Sequence, residues 1–285
     1  MERHDIGTPH RRTATATQGF SFKSFSEHAF YKQMNEWLVD HAHLRPGFRV
    51  VDLACGTGQV ARLVAEKIRD GQEALLIAVD LSLSTLREAM DELADVRDVA
   101  IRFVAAKAEE FSVAVRDAVE AVVLCNAIHY IADKPKLIAN VARNLREGGV
   151  FAFNTAFFNG CNPPEAEPFY RRWMTKALRT LVKEHGLRPS SQRVEARHQL
   201  TPDEYRELLE AGGFRVETEE LLTAPMTLES WQDISRFDDF VQGALPGVPL
   251  ATASRVLCDA LEATFEELEL ETVPRRWLSV VAVRA

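Results

Sequence analysis

The chain has 285 residues, of which 34 are lysine or arginine and 42 are aspartate or glutamate, so its formal net charge is −8 with histidine neutral. Its 46% hydrophobic and 27% charged residues are typical of a globular protein and exclude a disordered or fibrous one. The acidic balance argues against a broad nucleic-acid interface, which needs clustered positive charge, so no nucleic-acid partner is expected.

The cysteines and the apolar stretches indicate in which cellular compartment the protein is expected and whether it spans a membrane. Four cysteines lie far apart without a C-x-x-C pair: Cys55, Cys125, Cys161 and Cys258. Neither a disulfide framework nor a metal site is therefore predicted, and a reduced, cytoplasmic protein is expected. The first 20 residues lack the apolar core of a secretory signal. Polar residues interrupt the most apolar stretch, 118–132, so no membrane span is predicted.

From Arg49 onward, short β-branched runs alternate with helical patterns. The runs are RVVDLA from Arg49, ALLIAVD from Ala74, AIRFVA from Ala100, AVEAVVLCN from Ala118 and GVFAFNTAF from Gly149. Their nearly continuous apolar character is typical of parallel strands covered on both faces. Between the runs, apolar residues recur at helical spacing, as at Leu137, Val141 and Leu145. The alternation predicts an α/β fold with a doubly wound, mostly parallel sheet.

The second half departs from this alternation. Thr201-Pro202-Asp203-Glu204 predicts a capping box that opens a helix, and strands are predicted from Phe214 and from Trp277. Two extra stretches, at about 158–200 and 224–276, are interpreted as helical cap insertions in one domain spanning 33–285. Residues 1–32 are interpreted as a tail and lid segment.

The sharpest motif is DLACGTGQV, which starts at Asp52 where the first predicted strand meets a helix. Gly56 and Gly58 allow a tight turn and close approach of a ligand, and the helix N-terminus favours an anion. Nicotinamide and flavin domains share such a turn, so alone it is a weak signal. Asp52 would repel a pyrophosphate, and it suits a ligand that carries an ammonium group together with a carboxylate.

A second acid, Asp80, ends the second strand in AVDLS. A carboxylate there can accept hydrogen bonds from both ribose hydroxyls of an adenosine, and Leu81 can pack on the adenine. An amino acid joined to adenosine indicates S-adenosyl-L-methionine. On these two motifs the chain resembles the class I S-adenosylmethionine-dependent methyltransferases, of the small-molecule, ubiquinone-biosynthesis-like type, over roughly 33–222 and the closing strand.

The resemblance implies a seven-stranded Rossmann-like sheet whose last strand is antiparallel, with the cofactor across the carboxyl ends of the strands. It implies that the methionine part lies at the glycine turn and that the two acids hold the amino group and the ribose. The predicted cofactor-binding residues are Asp52, Ala54, Gly56, Gly58, Asp80, Leu81, Ala106, Ala108 and Asn126.

One position departs from the family. Many members have an Asp after the third strand that accepts from the adenine amine, whereas this chain has Lys107, which cannot accept. Three alternatives stay open: the Ala106–Ala108 backbone reads adenine, Glu109 substitutes, or adenine recognition is weak. A solvated loop charge is the expected role of the lysine side chain.

The fourth strand ends in CNAIHY from Cys125, where the reacting methyl is expected. This is not the D/N-P-P-Y sequence of enzymes that methylate exocyclic amines. His129 is the candidate catalytic base, because its usual pKa of about 6.5 suits proton removal near neutrality. A purely structural histidine is the competing interpretation.

The insertions should lie above the site, because both leave from carboxyl ends of strands. Their aromatic residues predict a closed, apolar cavity for a small acceptor, although core packing of the cap is an alternative for each. The predicted substrate-binding residues are Tyr31, Tyr130, Phe158, Tyr170 and Trp173. A dimer interface is a further alternative, so monomer and homodimer both stay open.

The leading function is methyl transfer to a small, partly apolar molecule, with oxygen favoured over carbon or nitrogen. The first alternative is a protein or non-methylating enzyme that only binds S-adenosylmethionine. The second is a methyltransferase acting on protein or RNA, which the charge and the covered site disfavour.

Overall fold

The computed structural model describes residues 22–116, 118–190 and 199–285, and these contain a seven-stranded sheet. The strands are β1 (Arg49–Leu53), β2 (Leu75–Asp80), β3 (Ala100–Ala105), β4 (Val119–Cys125), β5 (Leu145–Thr155), β6 (Phe214–Thr227) and β7 (Thr272–Arg284). Their order is β3-β2-β1-β4-β5-β7-β6. Strands β1 to β5 pair in parallel, whereas β7 is antiparallel to β5 and β6. The predicted doubly wound sheet with an antiparallel last strand is confirmed.

Helices cover both faces of this sheet and form a cap beside it. They are α1 (Lys23–Ser26), α2 (Ala29–His41), α3 (Gln59–Ile68), α4 (Leu83–Glu92), α5 (Phe111–Ala114), α6 (Lys134–Asn144), α7 (Glu167–His185), α8 (Pro202–Ala211), α9 (Leu228–Ile234), α10 (Asp238–Ala244) and α11 (Leu250–Glu267). The capping box at Thr201 and Glu204 is present, with the Thr201 hydroxyl accepting from the Glu204 N–H at 3.1 Å. None of the described helices is long and apolar enough to cross a bilayer.

The two faces of the sheet bury alternate residues of the same strands, because side chains of a strand point to opposite faces. Val51 packs on one face in a core closed by α6 and α8, through residues such as Leu137 and Tyr205. Val50 packs on the other face, where α2 and α3 supply Leu38 and Ile68. Covering on both sides explains why the parallel strands are nearly continuous apolar runs.

Strands β6 and β7 are longer than the sequence predicts. Their pairing runs from Phe214↔Arg284 to Thr227↔Thr272, so the ribbon continues beyond the expected strand ends near Leu222 and Trp277. Pro225 and Pro274 lie opposite each other within this extension. The helical part of the second cap segment is therefore 228–271 rather than 224–276, because its flanks are paired strand.

The cap has its own apolar core above the carboxyl ends of the strands. Helices α7, α9 and α11 contribute Trp173, Trp231 and Leu257, and the ribbon contributes Trp277. The N-terminal helices join the same core through residues such as Phe25. The cap is thus packed onto the domain at the edge where ligands of such sheets bind.

Candidate active site

The glycine turn between β1 and α3 depends on backbone conformations that only some residues adopt easily. Gly56 and Gly58 have φ of +54° and +92°. A Cβ on Gly58 would lie 3.0 Å from Cα of Ala89, so this glycine lets the turn pack against α4. A Cβ on Gly56 would meet no atom within 4 Å, so that glycine faces open space. Ala54, also predicted for the site, has a positive φ of 56°, a conformation that is uncommon for non-glycine residues.

The two acids of the predicted site sit at the ends of adjacent strands in different environments. Asp52 is 1% exposed, and its Oδ2 has no hydrogen-bond partner among the described residues. Burial first, and then the charge of Asp80, raise the pKa of Asp52 well above its usual range. Asp80 is half-buried, and its carboxylate accepts from the N–H groups of Gly56 at 3.0 Å and Ser82 at 2.8 Å. Asp80 therefore ties the glycine turn to the end of β2.

These features fit S-adenosylmethionine, the cofactor that the sequence motifs imply. The orphaned Oδ2 of Asp52 offers an acceptor to an ammonium group, and the free space beside Gly56 leaves room for a ligand. Asp80 keeps acceptor capacity for hydroxyl donors, because a carboxylate offers about four lone-pair positions. Leu81 is 67% exposed, which is unusual for a large apolar residue and suits the face of a base.

The segment after β3 contains the residues for which adenine recognition was left open in the sequence. The N–H of Ala106 donates to the carbonyl of Asp80 at 3.0 Å, so it is engaged within the sheet. Lys107 is exposed, as expected of a solvated charge, and a 3-10 turn begins at Ala108. The backbone carbonyl of Glu109 accepts from Asn140 Nδ2 at 2.7 Å, which fixes the turn from α6. The first contact places Ala106 beside the end of β2, where the adenosine is predicted, and Ala108 follows two residues later in the chain.

Asn126, at the end of β4, joins the predicted cofactor side to the end of β5. Its backbone has a positive φ of 46°, and its Oδ1 accepts from the N–H of Ala156 at 2.9 Å. Burial raises the pKa of the Tyr31 phenol, and the side chains of Asn35 and Asn126 partly offset this rise. The charge of Asp52 also acts on Tyr31, so this predicted substrate residue lies in the wall towards the cofactor side.

A cavity of about 200 Å³ lies between the ends of β4 and β5 and the cap. Four predicted residues line it together with further aromatic and polar side chains: His129, Tyr130, Tyr170 and Trp173, with Phe157, Cys161, Asn162, Met174, Gln199, Trp231, Asp239, Phe240 and Arg275. Phe158 does not line it, because this side chain is 1% exposed and packs in the sheet core. The alternation of side chains after β5 sends Phe157 to the cavity and Phe158 to the core.

His129, the predicted catalytic residue, is 1% exposed, and among the described residues one side chain forms a hydrogen bond with it. Its Nδ1 lies 3.0 Å from Thr155 Oγ1, and Nε2 has no hydrogen-bond partner among the described residues. Burial first, and then the charges of Lys134 and Arg275, lower the pKa of His129 to about 3. The imidazole is thus neutral near pH 7, which makes it a weak base and a good neutral hydrogen-bonding group.

Arg275 is a cavity residue that is not among those predicted from the sequence. It is 6% exposed on β7, and its guanidinium lies 5.0 Å from the ring centroid of Phe157 and 5.6 Å from that of Trp231. A signal was present in the sequence: Arg275 alternates with Val273 and Trp277, two residues that a strand would bury on one face. The prediction missed it because this segment was assigned to the cap insertion instead of a strand.

The sheet order and the paired acids define a Rossmann-like domain of the kind that binds a nucleoside at the carboxyl ends of its strands. Residues 50–149 match the family model described as a methyltransferase domain. The chain therefore contains a methyltransferase domain, and the cofactor of this family is S-adenosyl-L-methionine.

Known proteins resemble the chain over different lengths. The ubiquinone/menaquinone biosynthesis C-methyltransferase UbiE of Legionella pneumophila (strain Lens) is 28% identical over 131 residues, which are 45% of this chain and 51% of that protein. The chain thus matches about half the length of this curated relative.

Solved structures extend the likeness to nearly the whole chain. The cyclopropane synthase MmaA2 of Mycobacterium tuberculosis superposes with a TM-score of 0.56 at 13% identity, covering 88% of this chain and 84% of that one. The [4+2]-cyclase SpnF superposes with a TM-score of 0.53 at 17% identity, covering 89% and 81%. At these identities the likeness establishes the fold.

Proposed function

We propose that this protein transfers a methyl group from S-adenosylmethionine to a small, partly apolar acceptor that binds in the cavity beneath the cap. The observation that supports this most is the position of the cavity. It adjoins the ends of β4 and β5, and Asn126 and Ala156 link those ends to the predicted cofactor residues. Aromatic side chains make up much of its lining, which favours a small molecule over a polymer in an open groove.

The chain's own residues would bind and align the two reactants. S-adenosylmethionine, when bound, supplies an electrophilic methyl group on a sulfonium. Asp52 would accept from the ammonium group and Asp80 from the ribose hydroxyls. Helices α7, α9 and α10 line the cavity on the side of the cap, and alignment of donor and acceptor would supply much of the rate enhancement.

His129 would contact the reacting group of the acceptor through its orphaned Nε2. If the Thr155 hydroxyl donates to Nδ1, Nε2 carries the proton and donates a hydrogen bond to the acceptor. The opposite tautomer leaves Nε2 as an acceptor for a hydroxyl proton. Since the pKa of His129 is lowered to about 3, the imidazole positions and polarises an acidic acceptor rather than removing a proton from a weakly acidic one.

Oxygen is the first acceptor atom to test, because the polar groups near His129 suit a hydroxyl or enol. Carbon is the second, since the curated relative from Legionella pneumophila is a C-methyltransferase. An enolic acceptor presents both atoms to the methyl group, so a product analysis is needed to separate them.

The test is incubation with S-adenosylmethionine labelled in the methyl group, followed by separation of the labelled products by size. Label in small molecules, together with S-adenosylhomocysteine, is expected with hydroxylated aromatic or enolic acceptors. Asp80→Asn serves as the control, because weaker cofactor binding should reduce labelling when S-adenosylmethionine is kept below saturation. Label confined to protein or RNA would contradict the proposal.

A non-methylating enzyme on this fold is the second candidate, and the likeness to a [4+2]-cyclase favours keeping it. It predicts tight binding of S-adenosylmethionine without formation of S-adenosylhomocysteine from any acceptor. The same incubation separates the two candidates, because S-adenosylhomocysteine accumulates only if methyl transfer occurs.

A further inference from the structure

The cavity contains a buried positive charge whose described partners are all neutral. Arg275 donates from Nη2 to the carbonyl of Ala156 at 2.7 Å, and from Nη1 to Asn162 Oδ1 at 3.2 Å and the Tyr170 hydroxyl at 3.3 Å. Among the described residues it forms no ion pair with a carboxylate. A guanidinium stays charged at physiological pH, and burying such a charge without a counter-ion is unfavourable.

The one acidic residue among the described lining residues forms no ion pair with Arg275. Asp239 lines the same cavity and is exposed, so its charge is partly screened by solvent. The remaining described lining residues carry no negative charge near neutral pH, and burial raises the pKa of Tyr170 and Tyr130. The described residues therefore give the interior of the cavity a positive charge.

The geometry of Arg275 leaves donors for a ligand. Three of its five N–H groups have the partners above, so Nε–H and one Nη–H stay without a partner among the described residues. The rings of Phe157 and Trp231 and the Ala156 carbonyl fix the plane of the guanidinium. A guanidinium held in one plane suits the planar, two-oxygen geometry of a carboxylate.

We propose that Arg275 binds a carboxylate of an aromatic or similarly planar acceptor, so that the substrate of this cavity is an organic acid. That the bound acid accepts a methyl group rests on the proposed function. Binding of the acid to the cavity does not, because it requires no methyl transfer. A cavity of about 200 Å³ with Trp173, Trp231 and Phe240 in its wall suits a compact ring system carrying one carboxylate. A phosphate, whose second charge would need additional donors, fits less well.

The bound acid would also lie near the predicted reacting position. The charge of Arg275 acts on His129, and the ring of Phe157 lies 4.4 Å from the imidazole, so both groups face one space. A carboxylate on Arg275 would therefore hold an adjacent hydroxyl or enol towards Nε2 of His129. This arrangement makes Arg275 a specificity-determining residue.

The test compares matched probes by calorimetry in the presence of S-adenosylhomocysteine at low ionic strength: 2-hydroxybenzoate, 2-hydroxybenzyl alcohol and phenyl phosphate. The wild-type protein is expected to bind the acid at least about tenfold tighter than the alcohol, the size expected of a charge-assisted hydrogen bond. Arg275→Met should remove this preference, and Arg275→Lys should reduce it because a lysine lacks the planar fork. Arg276→Met is the matched control, since this neighbour lies on the opposite face of β7 and should keep the preference.

Several results would overturn the proposal. They are equal affinity for acid and alcohol in the wild-type protein, a preference that survives in Arg275→Met, tighter binding of phenyl phosphate, or no saturable binding of the acid at millimolar concentration. If Arg275→Met does not fold, the proposal is judged by the affinities of acid and alcohol for the wild-type protein and for Arg275→Lys. Failure of the proposed function can be told apart from failure of this proposal. If no methyl transfer occurs, no S-adenosylhomocysteine forms, but the preference for acid over alcohol can still be measured by calorimetry.

Discussion

The glycine turn allows a paired test of which glycine serves the fold and which serves the cofactor. Alanine at Gly58 must adopt φ of +92° and place its Cβ 3.0 Å from the Cα of Ala89, whereas alanine at Gly56 must adopt φ of +54° and meets no atom within 4 Å. The first substitution therefore strains backbone and packing together. The second strains the backbone alone and fills space that the cofactor is predicted to use.

The magnitudes follow from the two environments. A left-handed conformation costs a non-glycine residue about 1–2 kcal/mol. Replacing glycine also lowers the conformational entropy of the unfolded chain, which stabilises the folded state by about 0.4–1 kcal/mol. Gly56→Ala should thus lower the free energy of unfolding by about 0–1.6 kcal/mol. Gly58→Ala adds an overlap with backbone that costs about 1–3 kcal/mol, so a total loss of about 1–4.6 kcal/mol is expected.

Urea unfolding and calorimetric titration with S-adenosylhomocysteine measure the two effects separately. We expect Gly56→Ala to weaken binding by at least about tenfold, or 1.4 kcal/mol, with the smaller loss of stability. Gly58→Ala should show the larger loss of stability. Unchanged affinity in Gly56→Ala would refute the position assigned to the cofactor, and unchanged stability in Gly58→Ala would refute the packing argument.

Three further substitutions test the titratable groups. Asp52→Asn should raise the free energy of unfolding near pH 7 and weaken binding of S-adenosylhomocysteine, because the raised pKa of Asp52 reflects a charge that is unfavourable until an ammonium group pairs with it. A drop in stability, measured by urea unfolding, would contradict this. Asp80→Asn should weaken binding of the same ligand by about tenfold or more, since hydrogen bonds to a charged acceptor contribute about 1.5–3 kcal/mol each. Calorimetry that finds unchanged affinity would remove Asp80 from the site. The pKa of His129 is lowered to about 3 in the folded protein, so its stability contribution is complete above the unfolded value of about 6.5 and declines as the pH falls from there towards 3. Acid unfolding of His129→Gln should lack this decline, which can reach about 1.4 kcal/mol per pH unit, and an unaltered pH dependence would show that the histidine is not buried in its neutral form.

Much of the fold follows from information that is local in the chain. The apolar runs, the capping box at Thr201 and the glycine turn each depend on neighbours a few residues away, so their structures could be predicted. The parallel direction of β1 to β5 follows from strand–helix alternation, because a helix between two strands lets the next strand start from the same edge of the sheet. The pair Asp52 and Asp80 was predicted in the same way, since both end adjacent strands of such a sheet.

The substrate cavity depends on contacts between distant parts of the chain. His129, Phe157, Trp231 and Arg275 lie on four separate segments, and they meet because the cap folds back over the carboxyl ends of the strands. Whether Phe157 or Phe158 faces the cavity is decided by the exact end of β5, which strand propensity does not specify.

The sequence by itself determined the sheet, the turn and the class of cofactor, because short-range periodicity and spacing encode them. The tertiary structure decided the charge of the cavity. Arg275 is buried there because β6 and β7 continue to pair past the carboxyl ends of the parallel strands. This extension packs against the cap, which is distant in the chain.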